Sequence, residues 1–165
     1  MSKIDKDIKN AINMTIVHRE KNTTHNTIEL YSLINDIMDN REIITIINKI
    51  IKKYIRRKIN TTLQKYLFMT KMIINEIKFI NNITNKIVKE KNYEIFDDDI
   101  KYIIYCVLVS VIIKTRHLGD GISNVDDVNE VFECIWETYS LMPIDLKKVK
   151  RQYFLIKLFL KCFHK

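Results

Sequence analysis

The sequence predicts an all-α fold: one bundle of about seven helices packed around a buried central helix. Three observations lead there. The 165 residues include only 2 Gly and 1 Pro, too few for the tight turns of a many-stranded sheet. Apolar residues recur at i, i+3, i+4 and i+7 along most of the chain, the spacing of an amphipathic helix. One run, starting at Ile100, is apolar on nearly every side, which marks a buried helix. At 19.8 kDa the chain reads as a single domain, residues 1–165. A chain of this size buries roughly 70% of its unfolded surface, enough for one real core.

The elements follow in order. Ile4, Ile8, Ile12 and Ile16 form an i, i+4 stripe on a first helix. The polar run His18 to Asn26 reads as a loop, and Thr27 can cap a second helix carrying Leu30, Leu33, Ile34 and Ile37. Asn40 ends that helix. A third, from Arg41 to Lys58, sets Ile43, Ile46, Ile47, Ile50, Ile51, Tyr54 and Ile55 against an opposite face of Lys49, Lys52, Lys53, Arg56 and Arg57. Asn60 caps a long fourth helix that runs through Leu63, Tyr66, Met69, Ile73, Ile77 and Ile80, with a break expected near Asn81-Asn82. Asp97, Asp98 and Asp99 supply negative charge where the next helix begins. That helix, Ile100 to Arg116, is the central one.

Leu118-Gly119-Asp120-Gly121 holds both glycines and is the surest turn, with Gly119 as left-handed helix terminator. Ser123 or Asn124 caps a further helix bearing Val128, Val131, Phe132, Ile135, Trp136 and Tyr139. Pro143 suits the first turn of a last helix, to about Phe163.

Composition narrows the function. There are 31 Ile, 22 Lys and 15 Asn but one Ala, the signature of an AT-rich genome. The net charge is +8, unevenly spread. Residues 96–146 carry 3 basic and 10 acidic groups, and residues 147–165 carry 7 basic and none acidic. A basic excess invites nucleic acid or an anionic membrane. The best candidates are Lys52, Lys53, Arg56 and Arg57, and the cluster Lys147, Lys148, Lys150 and Arg151. The plainer reading is a set of solvated faces whose lysines come from AT-rich coding. Lys157, Lys161 and Lys165 give the last helix a basic edge that suits either a membrane surface or one wet side of a core helix.

Chemistry is not in view. Cys106, Cys134 and Cys162 are widely spaced and form no zinc or disulfide pattern. The four histidines match no metal-ligand spacing, no nucleophile signature is present, and no Gly-rich phosphate loop exists. The expectation is a non-enzyme with no cofactor. The charged N-terminus lacks the apolar core of a signal peptide. The longest apolar run, Ile100 to Ile113, is interrupted by Lys101 and falls short of the roughly 20 residues that a membrane span needs. The expected setting is soluble and intracellular.

The stretch Ile103 to Gly119, followed by the aromatic helix Asn129 to Tyr139, resembles the poxvirus Bcl-2-like proteins. Ser110 stands where that family often has a small residue in its buried helix, and Gly119 matches its turn glycine. The resemblance covers about 60 residues, Asp97 to Arg151. It implies a Bcl-2-like bundle that works by binding in the host cytoplasm, without a cofactor. Two branches follow. One binds host signalling adaptors of the NF-κB or interferon pathway, often as a homodimer. The other holds a pro-apoptotic helix in a groove. The cellular relatives of this second branch place an Arg directly after the turn glycine. Here Asp120 follows Gly119, which weakens the groove, and Arg116 substitutes only if the local geometry shifts. The sites to locate in the structure are therefore Lys52, Lys53, Arg56, Arg57, Arg116, Gly119 and Asp120. A small basic nucleic-acid binder remains the alternative from a different class.

Overall fold

A computed structural model describes residues 6–11, 27–94, 97–119 and 125–141, together with Lys3 and Asn13. The described residues are all-helical, with no strand among them. Five helices have both ends in view: α1 (Thr27–Met38), α2 (Arg41–Arg56), α3 (Thr62–Lys91), α4 (Asp97–His117) and α5 (Val125–Ser140). Residues 6–11 are helical as well, and Ile8 packs against the core. The expected loop at 18–26, the caps at Ser123 or Asn124, the last helix and the basic clusters beyond Lys147 lie outside the described residues.

Local chemistry sets each boundary. Asn40 closes α1, its N–H donating to the Ile37 carbonyl at 3.1 Å. The same residue opens α2: its side-chain oxygen accepts from the N–H groups of Glu42 (2.8 Å) and Ile43 (3.4 Å), an N-cap that satisfies two otherwise orphaned donors. One asparagine thus serves two helices. α2 ends at Arg56, two residues before the expected Lys58, because Arg57 turns extended (φ −92°, ψ 119°). The cap of α3 is Thr61 and not Asn60; the Thr61 hydroxyl accepts from the Gln64 N–H at 3.2 Å. Gln64 in turn accepts from the Asn60 N–H at 3.3 Å, a near relative of the capping box. Asn92 ends α3 in the left-handed region (φ 55°), a conformation asparagine tolerates better than most residues.

One expectation about the core needs correction. α3 does not break at Asn81-Asn82; it runs unbroken for 30 residues. Kinks of that sort come from Pro, bulges or inserted groups, and two asparagines supply none of these. α4 holds the central place, and among the described helices α3 shares it. α4 touches every other described helix, and so does α3. α4 buries Ile103, Ile104, Val107, Leu108 and Val111 at 1% exposure or less, and α3 buries Met69, Ile73, Ile77 and Ile80 equally deeply. The core is a pair of spines in contact, with α1, α2 and α5 laid against both. Two buried hydroxyls bond within their own helix: Ser110 Oγ donates to the Cys106 carbonyl at 2.8 Å, and Thr84 Oγ1 to the Ile80 carbonyl at 2.8 Å.

α1 is tied to the far end of α3 by charge. The Tyr93 hydroxyl donates to Asp36 Oδ2 at 2.6 Å, and Lys91 Nζ pairs with the same oxygen at 2.8 Å. Lys91 first, then Tyr93, holds the Asp36 carboxyl below its ordinary 3.8. A lowered carboxylate contributes stability above its unfolded value and loses it as pH falls through the folded one. Asp36→Asn is therefore expected to cost about 1 kcal/mol at pH 7. Thermal melts at neutral and acid pH check this: the gap to wild type should close below pH 3.8.

Candidate functional site

The surface with the most pronounced chemistry is the corner where α2 meets α3. Six buried side chains, Ile43, Ile46, Ile47, Ile50, Ile51 and Tyr54, anchor α2 to the core. Helical spacing then forces Lys49, Lys52, Lys53 and Arg56 outward, and all four are exposed. Between Glu42 and Glu76 the chain carries eight basic residues and no acidic one.

Two cations of this face are already engaged. Lys49 Nζ pairs with Glu76 at 2.6 Å, and the Glu76 side chain is only 7% exposed. That pair neutralises the Glu76 carboxylate beside the patch. The Arg57 guanidinium lies 5.7 Å from the centre of the Phe68 ring, a cation–π contact. Phe68 in turn meets Tyr54 edge-on at 5.6 Å. Arg57 therefore holds the corner together, while Lys52, Lys53 and Arg56 face solvent.

The corner also corrects two sequence assignments. Ile55 and Leu63, both expected on buried faces, are 59% and 49% exposed. Ile55 lies in the last turn of α2 and Leu63 in the first turn of α3, where neither is covered. Ile59 between them is buried and plugs the connection.

The second set of predicted residues lies on α4. Arg116 is exposed in its last turn. The Gly119 N–H donates to the Arg116 carbonyl at 2.9 Å, and Gly119 adopts φ 84°. A Cβ there would meet nothing within 4 Å, so the backbone angle alone calls for glycine. Leu118 is 59% exposed. Asp120 lies outside the described residues. His117 Nε2 reaches Asp7 at 3.1 Å, pinning the N-terminal helical residues to this end of α4.

A third feature was not foreseen as a unit: an aromatic seam between α4 and α5. Tyr105 meets Phe132 edge-on at 4.9 Å, and Trp136 lies 5.7 Å from Tyr139. Lys101 Nζ sits 5.7 Å from the ring centres of both Phe132 and Trp136, and 3.8 Å from Glu133. The Asn81 amide donates to the Tyr139 hydroxyl at 2.7 Å, which adds α3 to the seam. The aromatic spacing of α5 was legible in sequence; its partners on α3 and α4 were not, because no local pattern links positions so far apart.

Among the described residues, no group of three or more His, Cys, Asp or Glu side chains can hold a metal ion. Burial pushes the Cys106 thiol up to about 12, so it stays protonated at neutral pH. Among those residues, no helix is long and apolar enough to cross a membrane. The described surface presents a basic corner whose Glu76 is paired with Lys49, an exposed turn and an aromatic seam. No family model, no curated protein and no solved structure matches the chain.

Proposed function

We propose that this chain is a non-enzymatic binding protein of the poxvirus Bcl-2-like kind, an antagonist that holds a host innate-immune signalling protein of the NF-κB or interferon pathway and blocks its assembly. The observation that carries the reading is the α4–α5 hairpin. A helix buried along most of its length ends at a glycine with φ 84°, and an aromatic-bearing helix folds back against it. Ser110, the small residue of the resemblance, is buried within α4. The signalling branch is favoured over the death-antagonist branch by Asp120, which stands where the cellular relatives of the latter carry an arginine.

Binding proteins of this kind act by occupying a partner's surface, so the test is a loss of signal. Expressed in stimulated host cells, the chain should lower an NF-κB or interferon reporter, and a signalling adaptor should co-purify with it after nuclease treatment. An unchanged reporter would overturn the reading. Micromolar binding of a pro-apoptotic helical peptide with no effect on the reporter would move the protein to the other branch. Recovery of partners only without nuclease, with affinity falling steeply in salt, would make it a nucleic-acid binder.

A further inference from the structure

We infer that the α2–α3 corner docks on an anionic lipid surface. The inference is independent of which signalling protein is bound. Three features converge. Lys52, Lys53, Arg56 and Lys58 are exposed within a stretch that has no acid of its own. Ile55 and Leu63, at 59% and 49% exposure, project from the adjoining helix ends. The Glu76 carboxylate at this corner is buried and paired with Lys49, so it does not repel a negative surface.

Each feature separates a bilayer from the other candidate occupants. A nucleic-acid backbone would use the cations, but it gives Ile55 and Leu63 nothing to bury against. A headgroup layer takes both, with cations at the phosphates and apolar side chains at the acyl boundary. A specific protein partner favours aromatic and arginine anchors and disfavours lysine in the centre of its interface. Here three of the four free cations are lysines, and Arg57 is already committed to Phe68. Lysine is a compact point charge on a flexible stem, suited to a fluid array of anions that has no fixed geometry. The acidic side chains Glu130, Glu133 and Glu137 of α5 are exposed and offer a second copy of the chain as competitor, but that contact too leaves the two apolar side chains without a role.

The test is flotation of the full chain with vesicles of phosphatidylcholine alone, or of phosphatidylcholine with phosphatidylserine, at low and physiological salt. Two variants accompany it, each first shown to melt like wild type: K52E/K53E/R56E, and I55S/L63S. Wild type should float with the anionic vesicles and not with the neutral ones. Removing three cations alone is worth about a hundredfold in binding, so the reversal variant should lose at least that. The serine variant should lose about tenfold, since each side chain surrenders only part of its burial. No binding to anionic vesicles overturns the inference. So does wild-type binding by K52E/K53E/R56E, which would place the lipid contact on another segment. Unchanged binding by I55S/L63S would leave a bare polyanion surface and overturns it as well. So would a dimer that dissociates on charge reversal while vesicles are ignored. A reporter effect that survives in both variants would leave the proposed function standing whatever the vesicles show.

Discussion

Leu108→Asp is expected to abolish folding. Leu108 has no exposed surface and sits on α4 among Ile104, Val107, Val111 and Ile112, all within 2% of full burial. Leu truncation alone costs roughly 2–5 kcal/mol at such sites. An unpaired carboxylate adds a desolvation penalty of several kcal/mol. The sum exceeds or matches the whole stability of a domain this size, typically about 5–15 kcal/mol. Circular dichroism should show loss of the cooperative melt at pH 7, and the variant should be recovered mostly as aggregate. A wild-type melt would mean that α4 is not a spine of this fold. Val107→Asp should behave alike, whereas K52E/R56E, on the exposed face of α2, should melt normally.

Asn82→Pro should lower the melting temperature sharply. Asn82 is exposed and its side chain carries little of the fold; the damage comes from the backbone. Within an unbroken α3, proline removes one intrahelical hydrogen bond and clashes with the carbonyl four residues back, at a cost of about 3 kcal/mol or more. For a domain of this length that corresponds to a drop of roughly 6–12 °C. A helix that really broke at Asn81-Asn82 would accept proline at little cost, so the melt of this one variant decides between the two geometries. Asn82→Ala is the control and should be neutral or slightly stabilising.

The contrast between those two sites shows how much of the fold the sequence carried. α4 was legible because its burial is written on every side of the helix: Ile103, Ile104, Cys106, Val107 and Leu108 leave no polar face. α3 is just as central, yet its polar residues mask the fact. Asn81 looks like a breaker but makes a hydrogen bond to Tyr139, and Asn82 simply faces water. Only the positions of α1, α2, α4 and α5 around it show that α3 is a spine, and those positions have no signature along the chain. Ile55 and Leu63 failed for a related reason. Their spacing continues the apolar stripes, but each lies in a terminal turn and is left uncovered. The basic face of α2 was readable from spacing alone. That Arg57 belongs to Phe68 and Lys49 to Glu76 was not, since those contacts join side chains 11 and 27 positions apart across a turn.

The contact of α3 and α4 with each other and with α1, α2 and α5 has a consequence for how the molecule comes apart. With both spines touching every other described helix, no subset of these helices can keep a dry interior once either spine frays. Partial opening then gains little chain entropy before it exposes apolar surface everywhere, and the free energy of opening at the centre of α3 converges on that at the centre of α4. Amides around Ile73 to Ile80 and around Ile104 to Val111 should exchange with solvent at the same, slowest rate, through one shared unfolding event. The corner at Ile55 and Leu63 lies outside that event, and local motion there leaves the interior closed.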